Sequence, residues 1–197
     1  MIKDLNIFLK KENLTMAGLG FSAGLPIMLV FSTLSVWLVK AGIERSTVTL
    51  FSWAGLAYSF KFLWSPIVDK FKIPFFIKIG HRKSWLLLTQ ILIFFSIVLA
   101  SYSNPQENLK FMAIAVVLIA FFSATQDIVI DAFRIESAPE NKQGPLSSMY
   151  LAGYRIAMIV SGAGSLWLAS FLGGENYQQN IWRQVYQSIS LFMIIGL

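Results

Sequence analysis

The chain has 197 residues, of which 56% are hydrophobic and only 13% are charged. A typical soluble domain carries about twice that share of charge, so the composition excludes a soluble fold and predicts an all-α transmembrane protein. The net charge of +6 does not indicate nucleic-acid binding, because the basic residues lie between apolar runs. With no cysteine and one histidine, we predict no metal site and no cofactor.

Apolar runs long enough to cross a bilayer set the order of the predicted elements. After a segment 1–14, they form a helical bundle over 15–197 with six spans: 15–39, 46–68, 84–103, 111–133, 146–172 and 184–197. The sixth is incomplete, because its 14 residues make roughly 21 Å of helix against a ~30 Å hydrocarbon core. In the first span, Gly20 and Gly24 indicate close helix contact or simply reflect the small residues common in membrane helices.

Lysine and arginine counts predict how the bundle is oriented. Ten of these residues lie at the N-terminus and in the second and fourth loops, and four lie in the other loops. The side with more positive charge faces the cytoplasm, so we expect a cytoplasmic N-terminus.

Four charged residues interrupt the spans: Lys61, Asp127, Asp131 and Arg155. A charge inside a bilayer is costly unless it is paired or hydrated, so each calls for a structural partner or a function. Lys61 and Asp131 lie at similar depth on polar stripes, which predicts a structural charge pair between them. Arg155 is the deepest charge, and either an anionic substrate or Asp127 is its expected partner. Asp127 is alternatively a carrier of a coupling proton.

Four segments then resemble the AmpG-type muropeptide permeases of the major facilitator superfamily. They are GFSAGLP at 20–26, KFLWSPIVDKF at 61–71, FFSATQDIVIDAFR at 121–134 and GYRIAMIVSG at 153–162. The resemblance covers nearly all of the chain and implies the N-terminal six-helix half of that fold, with the sixth helix truncated. It also implies import of anhydromuropeptides with a proton across a bacterial inner membrane.

The same resemblance implies roles for particular residues. The loop after the second span matches the superfamily pattern of an acid, a basic residue, a glycine and a basic pair, which implies a cytoplasmic gate of Asp69, Lys70, Arg82 and Lys83. The stretch 75–81 looks longer than usual, and Lys70 replaces the commoner arginine, which would alter the strength of the gate. For transport we predict substrate contacts at Arg155, Tyr154 and Gln126. We predict that Asp127 and Asp131 couple transport to the proton.

The expected partners are a muropeptide-like solute, a proton and the lipid bilayer, with no nucleic acid. One alternative is a related permease for another solute, such as acetyl-CoA or a drug. A second is a membrane transferase in which Asp127 and Asp131 hold Mg²⁺. The short chain also leaves open a fragment, a split or decayed gene, or assembly with a second half-transporter chain.

Overall fold

The computed structural model describes residues 8–173 and 176–196, and all regular structure within these ranges is helical. Six helices follow in chain order: α1 Lys11–Lys40, α2 residues 45–70, α3 His81–Ser101, α4 Leu109–Ser137, α5 Glu140–Gly173 and α6 Gln179–Leu191. Short 3₁₀ turns stand before α3 and after α6, at Pro74–Ile79 and Phe192–Gly196. The predicted all-α class is therefore confirmed, and α1, α3, α4 and α5 are long and apolar enough to cross a membrane.

The second helix is broken rather than continuous. Its α-helical stretches alternate with 3₁₀ turns: Arg45–Phe51, Ser52–Gly55, Leu56–Phe60, Lys61–Leu63 and Ser65–Lys70. Pro66 lies in the first turn of the last stretch, where its missing N–H is tolerated but a continuous helix through Trp64 is not favoured. Val68 is the one buried residue of α2, so this helix lies largely on the outside of the bundle.

The first helix lies at the centre of the bundle and packs closely along α5. A Cβ at Gly20 would overlap the carbonyl of Tyr150, and a Cβ at Gly153 would overlap the carbonyl of Ala17. Gly24 faces α5 in the same way. The close contact indicated by the two glycines of α1 is therefore confirmed.

Both of these helices contain a π-helical turn, and the two turns touch each other. They comprise Leu29–Thr33 in α1 and Val160–Gly164 in α5. A π turn leaves carbonyl groups that can accept bonds from neighbouring helices. The Thr33 hydroxyl donates to the Ser161 carbonyl at 2.7 Å, and the Tyr186 hydroxyl of α6 donates to the first carbonyl of the α1 turn at 2.9 Å. The turns therefore join three helices.

Buried apolar side chains form two clusters that follow one another along α1. The larger joins α1 to α3, α4 and α6 around Trp37, Ile97 and Met112, and the smaller surrounds Met16 and Val129. By contrast, α2 and α5 carry large exposed apolar side chains, among them Trp53, Phe62, Ile159, Trp167 and Phe171. The outer faces of α2 and α5 are therefore apolar, as surfaces inside a membrane are.

Candidate functional site

One charged pair inside the bundle joins α2 to α4. Lys61 Nζ lies 4.0 Å from Asp127 Oδ2, and the two side chains are 33% and 15% exposed. Asp131, the predicted partner, lies instead 3.6 Å from Arg134 on its own helix. The predicted pairing of Lys61 with Asp131 is therefore wrong, because α2 is not one continuous α-helix and the depth of Lys61 does not follow from a regular helical rise.

Buried polar atoms gather around this pair. Asp127 Oδ1 is buried and accepts no hydrogen bond from a described residue, and the buried hydroxyls of Ser123 and Tyr58 interact with each other. Ser123 lies one turn before Asp127 on α4, and the Tyr58 hydroxyl is close enough to interact with both. The two helices thus place a carboxylate, an ammonium group and two hydroxyls in one polar cluster.

Gln126 faces a different neighbour. It is fully buried, and its Nε2 donates to the Ser22 hydroxyl of α1 at 3.2 Å. Its Oε1 has no hydrogen-bond partner among the described residues. Gln126 therefore faces α1, while the adjacent Asp127 faces α2, and the predicted substrate contact at Gln126 is not on the surface that carries Arg155.

Arg155 and Tyr154 lie side by side on α5. The Tyr154 ring is half-buried against Tyr150, with ring centroids 5.9 Å apart, and its hydroxyl interacts with both Asp127 and Arg155. Arg155 is exposed and makes no ion pair in the part of the chain that the structure describes. The alternative in which Arg155 pairs with Asp127 is contradicted, because Asp127 has Lys61 as its partner.

The surroundings of Arg155 restrict what can cover it. Its exposed neighbours on α5 are apolar: Leu151, Ile156 and Ile159. A guanidinium group among such residues is strongly unfavourable against lipid hydrocarbon unless water or an anion reaches it. This face of α5 therefore requires a water-filled cavity, another protein surface or a bound anion.

A second charged cluster ties together one end of α2, α3 and α4. Arg82 contacts Asp69 Oδ1 through Nη1 at 2.6 Å and Glu136 Oε1 through Nη2 at 2.8 Å. The structure thus brings two of the four expected gate residues together, and their gating role stays a prediction. Lys70 and Lys83 are exposed and form no ion pair within the described ranges. Glu136 was not predicted, although a guanidinium with two free edges favours a second carboxylate.

The two aspartates of α4 do not form a metal pair. Each has its own basic neighbour, Lys61 for Asp127 and Arg134 for Asp131. Among the residues that the structure describes, no three His, Asp or Glu side chains are grouped as metal ligands. The geometry thus gives no support to the transferase alternative.

Long apolar helices that carry charged side chains in their spans define a polytopic membrane protein, and the comparisons with known proteins assign it to a family of transporters. A family model described as acetyl-coenzyme A transporter 1 matches residues 14–195. The chain belongs to this transporter family.

Curated relatives support the same assignment. Putative transporter AmpG 4 of Rickettsia conorii is 40% identical over 178 residues, which are 90% of this chain and 42% of that protein. Anhydromuropeptide permease of Escherichia coli K12 is 42% identical over 165 residues, 84% of this chain and 33% of that protein. The predicted resemblance to AmpG-type permeases is confirmed, and the chain spans 33% to 42% of the length of these relatives.

Proposed function

We propose that the chain forms the N-terminal six-helix half of a major facilitator permease that imports an anionic solute together with a proton. The observation that carries the proposal is the set of charges within the spans: the loosely paired Lys61 and Asp127, and Arg155, which has no ion pair among the described residues. The relatives named as AmpG transporters and anhydromuropeptide permease support an anhydromuropeptide as the solute. Because those names are of transporters, we propose no enzymatic activity.

The exposed faces of α2 and α5 are covered, in this proposal, by a second set of helices. These belong to the same longer chain or to a separate half-transporter chain, and the site then lies between the two halves near the membrane midplane. Residues 1–14 lie on the cytoplasmic side of a bacterial inner membrane, because that side carries ten of the fourteen lysines and arginines outside the spans predicted from the sequence.

Arg155 binds a carboxylate of the solute in this proposal. The support is its exposed position among apolar neighbours, where a bound anion would compensate a charge that lipid cannot. Tyr154 lines the same surface, and Gln126 acts from the α1 side by holding α4 in place.

Asp127 carries the coupling proton, and Asp131 passes protons between it and the solution. Asp127 is mostly buried, and one of its oxygens has no hydrogen-bond partner among the described residues. Asp131 is exposed and lies one helical turn further along the same face of α4. A buried carboxylate needs either a counter-ion or a proton, which is the property that proton coupling requires.

Asp69 and Arg82 gate the cytoplasmic side, with Lys70 and Lys83 offering further positive charge to the opposing half. The contact of Arg82 with both Asp69 and Glu136 supports this, since it locks the ends of three helices in one arrangement. Separating the ends of these helices requires breaking that contact.

Uptake of labelled anhydromuropeptide tests the proposal, in cells that lack their own permease and express this chain together with the C-terminal half of the Escherichia coli anhydromuropeptide permease. We expect uptake that collapses when the proton gradient is dissipated, and loss of uptake in Arg155→Ala with normal membrane insertion. Arg183→Ala is the matched control, because Arg183 stacks on the Tyr102 ring 3.9 Å away and not on the proposed site. Unchanged uptake in Arg155→Ala would remove the substrate contact. Absence of uptake when both halves are inserted in the membrane would contradict the proposed function.

Proton coupling is tested by comparing two neutralised aspartates. We expect Asp127→Asn to abolish proton-driven accumulation while leaving exchange of solute across the membrane intact, because exchange needs no net proton movement. Asp131→Asn should slow accumulation without abolishing it. Proton-driven accumulation by Asp127→Asn would contradict the assignment.

A second candidate solute is acetyl-CoA, favoured by the description of the matching family model. Its phosphates are anionic and would suit Arg155 as a carboxylate does. Competition between labelled anhydromuropeptide and unlabelled acetyl-CoA in the same uptake assay separates the two solutes.

A further inference from the structure

The Lys61–Asp127 pair is close but loose. At 4.0 Å, its nitrogen and oxygen lie beyond the 2.7–2.9 Å of a charge-assisted hydrogen bond. One third of the Lys61 side chain is exposed, whereas the Asp127 side chain is mostly buried. The ammonium group therefore interacts with Asp127 without being locked to it, and it remains accessible from the surface of the bundle.

The other groups that face Asp127 do not replace Lys61 as a counter-ion. Asp131, on the same helix, carries the same sign of charge and opposes the ionised carboxylate. Three tyrosine hydroxyls interact with it from α2 and α5: Tyr58, Tyr150 and Tyr154. Phenols are neutral near pH 7, so they can donate a hydrogen bond but cannot balance the charge.

The net charge of the pair therefore depends on one proton. With Asp127 ionised, the ammonium and the carboxylate sum to zero. When a proton binds the carboxylate and forms a carboxylic acid, the pair carries +1 while Lys61 keeps all its own protons. An uncompensated cation on the apolar outer face of α2 is unfavourable, so a second anion is then attracted to it.

We propose that Lys61 exchanges between two carboxylates. It pairs with Asp127 when Asp127 is ionised, and it binds a carboxylate of the transported solute when Asp127 is protonated. Net charge at the site returns to zero in both states, so one proton and one solute carboxylate enter together. This inference rests on the proposed function, and it assigns to Lys61 a substrate-contact role beyond that of a structural charge pair.

The reactivity of Lys61 tests the first half of the exchange. The chain is purified into lipid nanodiscs and treated with acetic anhydride at a fixed pH, and acetylation of each lysine is followed by peptide mass spectrometry. We expect Asp127→Asn to speed acetylation of Lys61 about fivefold, which corresponds to about 1 kcal/mol for a partly exposed ion pair. Asp127→Glu keeps the carboxylate and should retain the slow rate.

Two controls separate this effect from a change of fold. Glu107→Gln removes a carboxylate just before the start of α4, away from the pair, and should leave the rate at Lys61 unchanged. Lys110, at the opposite end of α4, serves as an internal reference whose rate stays constant in the Asp127 variants. Equal rates at Lys61 in wild type and Asp127→Asn, with constant Lys110, would overturn the exchange.

The second half is tested with a solute carboxylate. A muramyl dipeptide should slow acetylation of Lys61 in Asp127→Asn, where the ammonium is free, and the same dipeptide amidated at its carboxyl group should not. Absence of protection, or equal protection by both, would overturn the solute step. Since acetylation does not depend on transport, loss of uptake with these rates intact would reject the proposed function and leave the exchange standing.

Discussion

The close approach of α1 and α5 predicts opposite effects for the same substitution at two glycines of α5. Gly153→Ala would place its Cβ within the carbonyl group of Ala17 on α1. Gly144→Ala, on the same helix, would meet no atom within 4 Å. Neither glycine has a positive φ, so backbone strain does not distinguish them.

The change in the free energy of unfolding for each substitution follows from two terms, helix propensity and overpacking. Alanine is favoured over glycine in a helix interior by up to about 1 kcal/mol, and we take about 0.5 kcal/mol for Gly144 in the first turns of α5. At Gly153 overpacking costs about 1–3 kcal/mol, and the upper part applies because a backbone carbonyl cannot rotate away as a side chain can. We therefore expect Gly144→Ala to stabilise by about 0.5 kcal/mol and Gly153→Ala to destabilise by about 1–2 kcal/mol.

Thermal unfolding in detergent, followed by the fluorescence of the six tryptophans, measures the difference. For a chain of this size 1 kcal/mol shifts Tm by about 2–4 °C, so Gly153→Ala should lower Tm by about 2–8 °C and Gly144→Ala raise it slightly. Gly162→Ala is a second control, because its nearest neighbour is Met28 at an ordinary 3.6 Å. Equal Tm values for the Gly153 and Gly144 variants would refute the close approach of the two helices.

Two further predictions concern hydrogen bonds and ion pairs between helices. Thr33→Val removes the buried bond to the Ser161 carbonyl and should lower the free energy of unfolding by about 1 kcal/mol. Ser35→Ala removes a bond within α1 and should have a smaller effect; equal losses would contradict the role of the π turns. Arg82→Gln should widen the distance distribution between spin labels on cysteines introduced at 70 and 135, because the ends of α2 and α4 lose their common partner. Lys83→Gln should leave the distance distribution narrow. Equal widths for the Arg82→Gln and Lys83→Gln variants would exclude Arg82 as the link between the ends of α2 and α4.

The regularity of each helix decides how much of it the sequence predicts. The predicted spans 15–39, 111–133 and 146–172 lie inside α1, α4 and α5, which continue a few residues beyond them. A charge-free apolar run fixes the buried part of a helix, whereas its polar ends depend on local contacts. For the same reason α6 begins at Gln179 rather than at 184: Arg183, taken as the end of a loop, lies within the helix and stacks on Tyr102.

The partner of Lys61 was beyond prediction for a different reason. An uninterrupted α-helix rises 1.5 Å per residue, and this rise places Lys61 at the depth of Asp131. In the structure, α2 contains 3₁₀ turns, whose rise is about 2.0 Å per residue, and a break at Trp64. Asp127 lies four residues from Asp131 on the same face of α4, so a change in the path of α2 is enough to exchange the two. The contact of Glu136 with Arg82 could not be predicted either, because it depends on the positions at which three helices end.

The break in α2 also determines which partner of the Lys61–Asp127 pair can move. Asp127 is carried by α4, which packs against α1 and α3 and contributes to both apolar clusters. Lys61 begins a 3₁₀ turn in a helix whose one buried residue is Val68. Segments with few buried contacts open at the lowest free energy. Moving α2 at this pair therefore costs less free energy than moving α4. Protonation of Asp127 would therefore displace α2 before it displaces α4. The end of α2 also carries Asp69, which belongs to the charged cluster around Arg82.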